Sequence, residues 1–120
     1  MKKIIIIEDN QIIAENFERI LGADFEISKA ASAGEAISKI DQTLPNLILL
    51  DILLEGHSAF ALLNELQSYS DTAKIPVVVC SDLSDELDTE ALKKYGVRQI
   101  LDKSKIRPRE ILEVCRNEAN

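Results

Sequence analysis

Aromatic residues are scarce in this chain, at 4% with no tryptophan, so any core must be built from Ile, Leu, Val and Ala. Only two cysteines occur. Cys80 and Cys115 fall in apolar, core-facing positions without metal-ligand spacing or a partnering histidine, and they read as buried, reduced thiols. The single histidine, His57, lies in a glycine-containing loop and is left out of any site. Long apolar runs are missing too. The four isoleucines after Lys3 are cut off by Glu8 and Asp9, too early for a signal peptide, and no stretch approaches membrane-spanning length. A cytoplasmic protein without a membrane contact is expected. Basic clusters are also lacking, and 14 Lys and Arg against 21 Asp and Glu give a net charge of -7. That balance argues against direct nucleic-acid binding and for protein partners. With 120 residues and no repeat or linker, the chain is expected to form one domain, 1–120, burying roughly two-thirds of its unfolded surface.

What is present is an alternation of strand-length apolar runs with helix-period segments. Lys3 to Ile7 is the first predicted strand, its isoleucines β-branched and too few for a helix. Gln11 to Leu21 places Ile12, Ile13, Phe17, Ile20 and Leu21 at helical spacing, with Gly22 as the expected stop. Phe25 to Ala30 is a weaker strand. Ser32, Ala33, Gly34 and Glu35 match a capping box opening a helix that carries Ala36, Ile37, Ile40 and Leu44, with Pro45 to end it. The stretch from Pro45 to Asp51 is a wholly apolar strand closed by one carboxylate. A helix from about Ser58 to Ser68 follows, with Ala59, Leu62, Leu63 and Leu66 inward. Pro76 to Cys80 is the fourth strand, Ser84 to Tyr95 a helix stopped by Gly96, and Val97 to Leu101 the fifth strand. Pro108 opens a last helix bearing Ile111, Leu112, Val114 and Cys115.

Unbroken aliphatic strands suit a parallel sheet covered on both faces, and right-handed crossovers place the helices above and below it. The expected architecture is α/β: a single (βα)5 domain of three layers, flavodoxin-like, with strand order 2-1-3-4-5. Its switch point lies between strands one and three. There Glu8 and Asp9 follow the first strand and Asp51 ends the third. Three carboxylates so placed repel one another unless a hard cation sits among them, and Mg2+ suits carboxylates, carbonyls and retained water. Ser81 ends the fourth strand with a hydroxyl, and Lys103 follows the fifth with an ammonium able to neutralise a phosphate oxygen. Each is common alone; together at four strand ends they form a phosphoryl-transfer set.

These residues, Ile4 to Asn10, Asp51, Ser81 closing Val77 to Cys80, and Lys103 after Ile100, Leu101 and Asp102, resemble the receiver domain of two-component response regulators, the CheY-like family. The resemblance covers essentially the whole chain. It implies that Asp51 is the phosphoacceptor and that Ser81 and Lys103 bind phosphoryl oxygens. Asp9 directly, Glu8 through water, Asp51 and the Leu53 backbone carbonyl would hold Mg2+. It further implies a phosphorylation-dependent switch, charged by a sensor histidine kinase or phosphotransfer protein and read by a downstream protein partner. A monomer or weak dimer without an output domain in this chain is expected, and no enzyme activity is expected beyond the phosphorylation and dephosphorylation of its own aspartate.

Several positions depart from the family pattern. Glu55 and Ala59 stand where Pro and Gly are usual, and Asp82 replaces the small residue after the hydroxyl. Ile100 replaces the switch aromatic, and Ser104 replaces a cis proline. A cis bond before Ser would cost on the order of 3 kcal/mol, so a trans Lys103–Ser104 bond is expected. Ile100 is expected to be largely buried, leaving the segment from Ser81 to Ser84 and the next helix to carry any signal. The alternative function is a phosphorylation-independent pseudo-receiver acting as an interaction module. A flavin-binding module would need a Ser/Thr/Gly-rich loop after the first strand. A haloacid-dehalogenase-type phosphatase would need an acid at Leu53. Both are set aside.

Overall fold

The structure is a computed structural model that describes residues 1–52, 58–82 and 88–119. Its elements alternate strictly: β1 (Lys3–Ile7), α1 (Gln11–Leu21), β2 (Glu26–Ala30), α2 (Ala33–Gln42), β3 (Leu47–Leu50), α3 (Ser58–Gln67), β4 (Val77–Ser81), α4 (Thr89–Lys93), β5 (Val97–Asp102) and α5 (Pro108–Glu118). The strands form one parallel sheet of order β2-β1-β3-β4-β5. This is the doubly wound flavodoxin-like arrangement expected from the sequence.

Two apolar layers hold the sheet between helices, and the strand period assigns each residue to one of them. Ile5, Ile7, Ile48, Leu50, Val77 and Val79 face Ala36 and Ile40 of α2, the inner face of α3 and Leu92 of α4. Ile4, Ile6, Leu47, Leu49, Val78 and Cys80 face Ala14, Phe17 and Leu21 of α1 and Ile111 and Cys115 of α5. β1 from Ile4, β3 and β4 are buried throughout, which is why they carry no alternating polar residues. Both thiols are free and buried.

Local chemistry explains most helix ends. Asn10 caps α1 by accepting from the Ile12 and Ile13 amides, and Ser32 caps α2 by accepting from the Glu35 amide at 3.2 Å, as the capping box predicts. Gly22 ends α1 as expected, in the right-handed conformation (φ -66°); a Cβ there would lie 2.7 Å from the Glu18 carbonyl oxygen. Two expectations need correction. Ile12 is 79% exposed, because burial on α1 runs through Ala14, Phe17 and Leu21 instead. Leu44 is likewise exposed, lying beyond α2, which ends at Gln42, three residues before Pro45.

Gly96 does adopt the left-handed region (φ +84°), and its carbonyl accepts from the Val77 amide to lead the chain into β5. The helix expected from Ser84 to Tyr95 is observed as Thr89–Lys93, shorter at its far end and capped by Asp88, whose side chain accepts from the Ala91 amide. Residues 83–87, including Leu87, lie outside the described residues. So do Leu53, Glu55, Gly56 and His57. Among the described residues, no helix is long and apolar enough to cross a membrane.

Candidate functional site

Parallel strands end together on one edge, and backbone pairing fixes which side chains meet there. The Glu8 amide donates to the Ala30 carbonyl and the Asp51 amide to the Ile7 carbonyl, both at 3.0 Å, so the chain stays in sheet register just past β1 and β3. The Lys103 amide donates to the Ser81 carbonyl at 3.1 Å, which does the same between β4 and β5. The order β1-β3 at the switch point therefore sets Glu8 and Asp51 side by side, and Lys103 reaches them across the end of β4.

The Lys103 ammonium lies 2.6 Å from Oε1 of Glu8 and 3.2 Å from Oδ2 of Asp51. Both carboxylates are buried, and the lysine side chain is only 12% exposed. Asp9 is exposed, yet it offers a carboxylate oxygen within 4.8 Å of those of Glu8 and Asp51. The site thus has a closed floor of one cation between two acids and an open side bearing a third acid. The free energy of this arrangement depends on compensation. Burial pushes the Glu8 carboxyl up to about 7; Asp51 adds to the rise, while Lys103 and the Asn10 amide, 3.2 Å from Oε2, oppose it. Burial disfavours the Lys103 charge, but hydrogen bonding to Glu8 and the field of Asp51 outweigh it and raise its pKa.

Three hard oxygen donors within 4.8 Å of one another fit a small divalent cation. Leu53, whose carbonyl was expected to join them, lies outside the described residues. Ser81 ends β4 at this same edge, with its side chain fully buried. Asp82 is exposed. The Lys103–Ser104 peptide bond is trans, as expected. Ile100 is half-buried against the layer of α2, α3 and α4, less enclosed than the sequence suggested, because β5 is an edge strand.

Two residues quoted in the sequence motifs, Asn10 and Asp102, have roles that sequence reasoning missed. Asn10 both caps α1 and donates its amide to Glu8. Asp102 accepts from the Ser104 amide at 2.9 Å and from its hydroxyl at 2.6 Å. Both carried a readable signal: Asn immediately before a helical pattern is a cap, and Asp two residues before Ser is the spacing of a side-chain turn.

An open, doubly wound parallel domain with a lysine and three acids at its switch point is the class this fold and site define. The response regulator receiver domain family matches residues 4–116, and the chain belongs to that family, whose members are signalling modules of two-component systems. The protein PilH of Pseudomonas aeruginosa is 26% identical over 104 residues, which cover 86% of each chain. The protein-glutamate methylesterase/protein-glutamine glutaminase 2 of Oleidesulfovibrio alaskensis is 26% identical over 116 residues, 92% of this chain and 32% of that protein, so the present chain spans about a third of it. Among solved structures, a putative response regulator from Chloroflexus aurantiacus superposes with a TM-score of 0.85 at 27% identity, covering 98% of this chain and 97% of that one. A CheY-like receiver domain protein from Methanospirillum hungatei shares the fold, with a TM-score of 0.87, 24% identity, and coverage of 99% and 94%.

Proposed function

We propose that this chain is a phosphorylation-dependent signalling switch whose phosphoacceptor is Asp51, charged by a sensor histidine kinase or phosphotransfer protein and read by a downstream protein. The observation that carries this reading is the Lys103 ammonium set between the buried carboxylates of Glu8 and Asp51. A lysine in that position serves the acceptor in both states. Before transfer it neutralises Asp51; afterwards it can follow the negative charge onto a phosphoryl oxygen.

Glu8, Asp9 and Asp51 would hold Mg2+, which when bound offsets the charge of the transferring phosphoryl group. The remaining work belongs to the chain. An Asp51 carboxylate oxygen attacks phosphorus in line as the P–N bond of the donor phosphohistidine breaks, and the electron pair leaves with the imidazole nitrogen. Lys103 stabilises the equatorial oxygens during this exchange. Burial of Glu8 and Asp51 keeps bulk water from screening these interactions. Ser81, at the buried end of β4, is assigned a hydrogen bond to a phosphoryl oxygen, and movement of this strand end and the start of α4 on forming that bond carries the signal. Hydrolysis of the acyl phosphate resets it.

Mass spectrometry after incubation with acetyl phosphate and magnesium tests the reading. A single phosphoryl adduct that disappears in Asp51→Asn is expected. An unmodified wild-type chain under conditions that phosphorylate a control receiver would instead make this a pseudo-receiver, an outcome that the charge of Asp82 beside Ser81 would then explain.

A further inference from the structure

The chain leaves β5 through a tight turn, and one residue makes nearly all of its bonds. The Asp102 carbonyl accepts from the Lys105 amide at 3.1 Å and the Ile106 amide at 2.9 Å. Its carboxylate accepts from the Ser104 amide and hydroxyl through Oδ1, and its Oδ2 lies 3.9 Å from the Lys105 ammonium. Every residue of the turn except Lys103 is thereby tied to Asp102. Lys103 itself sits at the centre, its amide bound to Ser81 and its ammonium to Glu8 and Asp51. Beyond the turn, Ile106 rests against the α1 and α5 layer, so the far end is anchored as well.

We propose that Asp102 is a positioning residue for Lys103, with Ser104 as its partner: the carboxylate fixes the backbone on both sides of the lysine and so holds the ammonium over the two acids. The proposal rests on the reading of Lys103 as the phosphoryl-binding cation. A lysine has four side-chain torsions and loses much rotamer freedom when it is held. A backbone already fixed in direction lowers the cost of presenting the ammonium, the advantage of preorganisation in any site where geometry governs rate. Ser104 has no ring to stiffen the chain, and the side-chain turn supplies that stiffness by hydrogen bonding.

The test measures the Lys103 side-chain ammonium resonance by NMR, and the rate of phosphorylation by acetyl phosphate, in Asp102→Ala, Asp102→Asn and Ser104→Ala. Asp102→Ala should move the Lys103 resonance toward that of a free lysine and slow phosphorylation about tenfold. Asp102→Asn, which keeps an acceptor oxygen, should restore most of both. A lowered melting temperature in Asp102→Ala with an unchanged Lys103 resonance and rate would make the turn merely structural and overturn the proposal. Should that variant fail to fold, Ser104→Ala decides, because it removes only the hydroxyl bond: a shift of Lys103 in the same direction supports positioning, and no shift refutes it. If the wild-type chain takes up no phosphoryl group, the functional reading fails, and the Lys103 resonance alone still decides the role of Asp102.

Discussion

At the scale of the residue, Glu8 is where burial and charge conflict most directly. Its carboxyl goes from the ordinary 4.5 to about 7 in the folded chain, chiefly through burial, so the folded state holds its proton more tightly than the unfolded state does. The stability this confers is complete below about 4.5 and is lost as the pH rises through about 7. Urea unfolding in EDTA should therefore show stability falling across that window, and Glu8→Gln should flatten the decline. An equal slope in the variant would assign the effect to another group. On the proposed reading, magnesium should also flatten it by favouring the charged carboxylate. Asn10→Ala bears on the same site from the helix side. It removes the cap that receives the Ile12 and Ile13 amides and should cost about 1 kcal/mol by urea unfolding, with the Glu8 contact kept because that bond uses the Asn10 backbone.

At the scale of the element, two glycines make opposite predictions. Gly96 holds φ +84°, and a Cβ there would meet Nε2 of the Gln67 side chain at 2.8 Å, so Gly96→Ala should destabilise the fold by about 1–2 kcal/mol. Gly34 lies in the first turn of α2 with nothing within 4 Å of an added Cβ, and Gly34→Ala should stabilise by about 0.4–1 kcal/mol. Denaturant melts of the pair check both signs, and a stabilised Gly96→Ala would show that the turn before β5 relaxes. The contrast also explains what the sequence could reveal. β1, β3 and β4 were legible because burial on both faces writes an unbroken aliphatic run. A helix is harder to read at its margins. Ile12 was grouped with the apolar stripe of α1, yet it stands two residues before Ala14 and five before Phe17, offsets that at about 3.6 residues per turn place it on the flank opposite the buried one. Gly22 and Gly96 look alike as punctuation, and only the backbone distinguishes a right-handed stop from a left-handed one.

At the scale of the whole molecule, the site exists only when the sheet is complete, since Glu8, Asp51, Ser81 and Lys103 follow or end four different strands. That dependence is why strand order made the cluster legible: once β1 and β3 are neighbours, their terminal acids must meet. Asp102 escaped notice for the opposite reason: its bonds are local to a turn, so its only signal is the two-residue spacing to Ser104, which strand order does not bring out. The buried thiols report how far the complete sheet opens. Cys80 lies in β4 and Cys115 on the inner face of α5, and burial pushes both thiols up to about 12. Neither has appreciable thiolate at neutral pH, so labelling by a disulfide reagent requires opening. In native buffer both should be protected, and both should react beyond the urea midpoint. The difference between them below the midpoint is informative. Cys115 sits on the last helix, which can detach from one face, whereas Cys80 is held between β3 and β5 and is freed only when the sheet comes apart. Cys115 should therefore label faster than Cys80 in dilute urea. Equal rates that match global unfolding would mean that α5 and the sheet open as one unit, and faster labelling at Cys80 would mean that β4 is not the stable centre this packing makes it.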